Sequence, residues 1–255
     1  MHTTFAPVGR IFYGLAIAAM GALTIYYRTF PYMLVPPNHG WLTDHLTPMY
    51  VSGGLLFLAG VCILLAIKSR FVSLVLASLL LSIFIFWFLP YELLVSPNYG
   101  HFGVWENAAK ELALAGGACV VAGDRRLLPV GTVVFGLTIL SFGIDHFLYA
   151  RQAAGYIPSW IPIHLFWMYF TGSALFGSSL CIILNIRRNG MAALLGGMIL
   201  IWVFILHLPK ALASPAGDPG GEITSAFLAL AYCGIAFVIA GTRPGRAPSQ
   251  VFVLE

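Results

Sequence analysis

The chain has 255 residues, of which 60% are hydrophobic and only 9% charged, and its mean hydropathy is +0.90. A soluble domain carries about 25% charged residues, so this composition excludes an ordinary soluble fold and indicates an integral membrane protein. The formal charge of +4 comes from small basic clusters between apolar stretches rather than from one basic face, which excludes nucleic acid as a partner.

Eight apolar segments of roughly spanning length follow one another, at about 9–28, 47–67, 71–89, 106–123, 129–150, 162–186, 190–208 and 222–241. The first is read as a helix rather than a cleaved leader, because its apolar run is long and no small-residue cleavage site follows it. Pro90 and Pro209 follow apolar runs and are predicted to stop the third and seventh spans. The loops at about 29–46, 90–105, 151–161 and 209–221 are the long ones, and the turns on the other side are short.

Charge sets the orientation. With alternating spans, Arg10, Lys68, Arg70, Arg125, Arg126, Arg187, Arg188, Arg243 and Arg246 fall on one side, and Arg28, Lys110, Arg151 and Lys210 on the other. The positive-inside rule then puts both termini in the cytoplasm and the long loops on the outer face. The four cysteines, Cys62, Cys119, Cys181 and Cys233, all lie inside apolar segments without a C-x-x-C, and are expected to be reduced and packed as small hydrophobes.

The chain also repeats itself. Gly14, Gly21 and Tyr27 recur 122 residues later as Gly136, Gly143 and Tyr149. After a three-residue gap, His45-Leu46, Met49-Tyr50, Gly53, Leu56-Phe57 and Cys62-Ile63 recur 119 residues later, from His164-Leu165 to Cys181-Ile182, and Leu89-Pro90 recurs as Leu208-Pro209. The expected fold is all-α: a polytopic membrane protein of eight transmembrane helices in two four-helix repeats, residues 1–126 and 127–255. An even number of spans per repeat makes the repeats parallel, related by a pseudo-twofold axis along the membrane normal.

Polar residues gather toward the outer half. His39, His45, His101, His146, His164 and His207 all map there, with Asp44, Glu92, Glu106, Glu111, Asp145, Asp218 and Glu222. Counting along the helices puts Lys110 and Glu111 of the fourth span level with Asp145 and His146 of the fifth. In the other repeat the equivalent positions hold Leu228 and Ala229, and Leu23 and Thr24. Each repeat keeps a polar pair that the other lacks. Charged groups are unfavourable against lipid, so one composite pocket is expected, open to the outer side. It would comprise Lys110, Glu111, Asp145 and His146, with Tyr149 on the helix face of His146 and His164 and His207 at the rim. An Asp145–Lys110 contact is expected within it, and Glu106 stands four residues before Lys110 on one helix face. The competing readings are interfacial residues reaching headgroups, a structural ion pair between repeats, and metal or haem ligation by His146, His164 and His207. No metal-binding motif spacing is present, and no metal site is assigned.

The strings Gly143 to Tyr149 (GIDHFLY) and Ile157 to Gly172 (IPSWIPIHLFWMYFTG) resemble the DoxX-like family of bacterial integral membrane proteins. The run from Lys110 to Gly117 (KELALAGG) resembles that family's last-span pattern. The resemblance covers both halves and implies a four-helix membrane unit, here twice in tandem, in the bacterial cytoplasmic (inner) membrane. Some relatives are membrane subunits of thiosulfate:quinone oxidoreductase and others are associated with redox-stress complexes. The expected function is therefore a membrane subunit or partner of a quinone-linked redox system, in contact with lipid, with quinone as ligand and with other subunits. The alternatives are a non-enzymatic binder or transporter of a small or lipidic molecule, and a structural subunit anchoring a larger complex. No nucleotide-binding Gly-rich motif is present, so a complete enzyme on this chain is not expected.

Overall fold

A computed structural model describes residues 2–30, 34–36, 46–97, 102–214 and 221–242, and among them every regular element is helical. The long helices are α1 (His2–Tyr27), α2 (Leu46–Leu64), α3 (Ser69–Ile83), α4 (Glu106–Ala122), α5 (Leu127–Leu148), α6 (His164–Ile183), α7 (Arg188–Trp202) and α8 (Gly221–Gly241). Seven of these helical runs are long and apolar enough to cross a membrane. The other is α4, with 17 residues and three charged side chains. At 1.5 Å per residue it is about 26 Å long, just under the thickness of a bilayer core.

The packing explains how α4 carries those charges. α1 packs on α2 and on α8, α5 packs on α6 and on α4, and α3 and α7 lie against α4 and α8. α4 and α8 also touch each other, so the last helix of each half is central and the others surround the pair. Accordingly 72% of the apolar window of α8 is buried, against 28% for α2, α3 and α7, whose outward faces are the Leu-, Phe- and Val-rich ones. Close approach requires glycine at two places. A Cβ on Gly21 would run into the backbone nitrogen of Phe57, and one on Gly143 into that of Phe176.

Pro90 and Pro209 do not stop α3 and α7. A π-helical turn precedes each, Phe84–Phe88 and Val203–His207, and the helical runs then continue to Val95 and Ala213. Proline lacks the N–H and crowds the carbonyl four residues back. In the wider turn the bonds reach five residues back instead, from Leu89 N–H to the Phe84 carbonyl and from Leu208 N–H to the Val203 carbonyl. This takes up the crowding, and the loops that follow start later than the prolines suggest.

Backbone features recur at the 119-residue spacing. Lys68 and Arg187, before α3 and α7, both have φ 44°, and Ala66 and Asn185 have φ 62° and 59°. The preceding turns close with the same bond, Ile67 N–H to Cys62 O and Ile186 N–H to Cys181 O, each 2.8 Å. The tie to the neighbouring helix differs. Arg70 pairs with Asp124 at 2.5 Å, whereas Asn189 donates to the Ala240 and Thr242 carbonyls at the end of α8. All four cysteines are free thiols, with Cys233 buried and the other three half-buried.

Candidate functional site

α4, α5, α6, α7 and α8 enclose a cavity of about 590 Å³, the size range of small-molecule sites. Its apolar wall includes Phe142, Met168, Leu175, Met198, Trp202 and Tyr232. Polar groups collect on the side formed by the start of α4 and the end of α5: Glu106, Asn107, Lys110, Asp145, His146 and Tyr149. His207 and Lys210 on the α7 run and Glu222 at the start of α8 complete them.

Each polar group has a local cause. Lys110 Nζ lies 2.9 Å from Glu106 Oε1 and 3.2 Å from Asn107 Oδ1, one turn earlier on α4. Glu106 and Asn107 thus hold the ammonium from within its own helix, where an (i, i+4) carboxylate is in reach before any tertiary contact forms. His146 Nδ1 stands 2.7 Å from the Phe142 carbonyl. The Tyr149 hydroxyl accepts the Gly103 N–H at 3.2 Å, tying the turn Phe102–Trp105 to the end of α5. The Tyr232 hydroxyl donates to the Lys110 carbonyl at 3.3 Å and holds α8 against α4 beside the cavity. His207 is the last residue of the π-turn in α7.

Glu111 does not line the cavity. Neighbouring helical residues point about 100° apart, so Lys110 and Glu111 cannot share a direction. Glu111 is 0% exposed, and neither carboxylate oxygen has a hydrogen-bond partner among the described residues. His164 is also absent from the wall. It opens α6 one turn before Met168, about 6 Å further along the axis. His39, His45, His101, Asp44 and Asp218 lie outside the described residues. Among the described residues no group of three or more His, Cys, Asp or Glu side chains is placed to hold a metal ion.

The cavity also has residues that the expected pocket did not include. Lys210 Nζ lies 3.3 Å from Glu222 Oε1 and 4.1 Å above the ring of Tyr156, in the short 3₁₀ turn Ala154–Tyr156. One ammonium therefore joins the α7 run, α8 and the turn after α5. Tyr232 and Trp202 stand where the first half has Ala113 and Ile83, and that contrast is the signal that marks them. No family model, no curated protein and no solved structure matches the chain.

Proposed function

We propose that this chain is a DoxX-like membrane subunit or partner of a quinone-linked redox system, binding the quinone head in the cavity between α4 and α8. The observation that carries the reading is the wall itself. Lys110, Asp145, His146 and His207 meet in one cavity with an aromatic and aliphatic wall that includes Phe142, Leu175, Trp202 and Tyr232. Such a wall suits a ring with polar substituents, and the surrounding bundle suits an apolar tail.

In this reading α4 is the eighth span, its charges shielded by α3, α5 and α8, and both termini are cytoplasmic. Two parallel four-helix repeats are supported by the matching bounds of Ser69–Ile83 and Arg188–Trp202, by the paired π-turns and by the paired left-handed residues. The DoxX-like assignment rests on the strings Gly143–Tyr149, Ile157–Gly172 and Lys110–Gly117. Other subunits are expected at the outer loops.

The test is extraction of the detergent-purified protein with organic solvent, followed by chromatography and absorption spectroscopy. Near-stoichiometric isoprenoid quinone, reduced in a Lys110→Met variant, is expected. No quinone above the detergent blank overturns the redox reading. A different bound lipid in its place favours the second reading, a non-enzymatic binder or transporter, for which the Tyr156–Lys210–Glu222 junction at the wall is the supporting observation.

A further inference from the structure

A carbonyl oxygen only accepts hydrogen bonds, so the 2.7 Å contact between His146 Nδ1 and the Phe142 carbonyl puts the hydrogen on Nδ1. In the neutral ring Nε2 then carries the lone pair. The ring lines the cavity, and Nε2 has no partner among the described residues and is not sealed from the cavity. The wall therefore holds an acceptor of fixed direction in the last turn of α5.

The other groups limit what can meet it. Lys110 has committed two of its three N–H bonds, to Glu106 and Asn107, and keeps one to donate. The Tyr232 hydroxyl is committed to the Lys110 carbonyl. Glu106 and Glu222 already pair with Lys110 and Lys210, so neither ammonium is left to offset an anionic head. A neutral head is left that accepts from Lys110 and donates to His146. A quinone carries acceptors only, whereas its quinol carries hydroxyl hydrogens as well.

We infer that His146 Nε2 accepts a ligand hydroxyl, so that the cavity takes a quinol-type hydroxyaromatic head in preference to the oxidised, all-carbonyl form. This rests on the quinone-linked reading above. A carbonyl ligand would leave the Nε2 lone pair facing another lone pair, with neither satisfied.

The experiment is equilibrium dialysis of the purified full chain against a decyl-substituted benzoquinol and, separately, its benzoquinone, with the redox state held by the buffer. The quinol is expected to bind about tenfold tighter, the scale of one neutral hydrogen bond gained and one mismatch avoided. His146→Phe should abolish the preference, and His146→Gln, whose amide oxygen accepts, should keep part of it. The measurement on the unaltered chain decides the matter even where a variant folds poorly. Equal binding, or tighter binding of the quinone, overturns this inference and leaves the quinone-linked reading standing. Binding of neither form overturns both.

Discussion

Phe88 and His207 end two π-helical turns 119 residues apart, and they do opposite things with the same place in the helix. Phe88 is 1% exposed and fills the interior of the first half. His207 lines the cavity shared by α4 and the helices of the second half. Together with Leu23 for Asp145, Thr24 for His146 and Ala113 for Tyr232, this sets apolar or small residues in one half against cavity-lining polar and aromatic residues in the other.

From this relationship follows an expected outcome for His207→Phe. A phenyl ring at that turn should fill the cavity as Phe88 fills its own surroundings, with stability kept because apolar packing replaces a polar group. Bound ligand should fall by about tenfold, or about 1.4 kcal/mol, while thermal unfolding in detergent is little changed. Ligand retention equal to that of the unaltered chain would mean that the π-turn does not position the wall.

Hydropathy and the basic residues made the helix positions legible, because each apolar run in this chain is bounded by arginine, lysine or turn residues. The continuation of α3 and α7 past Pro90 and Pro209 was not legible. Proline is a stop signal in the α register, and only the local switch to i→i−5 bonding accommodates it here. Depth counting brought Lys110, Asp145 and His146 to one level but was blind to azimuth, which is why Glu111 was grouped with them. The aromatic wall was hidden for another reason. Within an apolar span, Trp202 and Tyr232 look like ordinary lipid-facing or core residues until each is set against its counterpart in the other half.

Acid stability should depend on Asp124, in the turn between α4 and α5. Its carboxylate accepts the backbone N–H of Arg126 at 2.9 Å, the Arg70 guanidinium at 2.5 Å and the Leu127 N–H at 3.3 Å, and these bonds hold it below the usual carboxylate range. A lowered value in the folded state means a contribution fully present above the unfolded value of about 3.9 and lost as pH falls through the folded one. Thermal unfolding measured from neutral to acid pH should therefore show a shallower acid limb in Asp124→Asn than in the unaltered chain. Parallel curves would remove Asp124 from the account.

Glu111 bears a burial penalty without visible compensation, since both its oxygens lack partners among the described residues. An orphaned polar group costs about 1–3 kcal/mol in protein interiors. Glu111→Met, close in volume, should raise stability on that order in denaturation assays, whereas Glu111→Gln should not, because the amide is orphaned in the same way. Loss of stability in Glu111→Met would show that the carboxyl is satisfied by something bound.

The last expectation concerns how a ligand leaves. Lys210 touches Glu222 and the face of Tyr156 at once, and all three line the cavity. The lysine and glutamate side chains are 30% and 33% exposed, so their ion pair is a weak, solvent-screened one. Each contact is worth about 0.5–1 kcal/mol, enough to slow the parting of the 154–156 turn from α8 without governing the fold. Lys210→Met should therefore speed ligand release by roughly fivefold with unfolding unchanged, a factor consistent with about 1 kcal/mol. Tyr156→Leu should speed it less, and adding it to Lys210→Met should change nothing further, because the ammonium that gives the ring its role is already gone. Rates that multiply in the double variant would mean that Tyr156 and Lys210 act separately, and the junction would not be a closure.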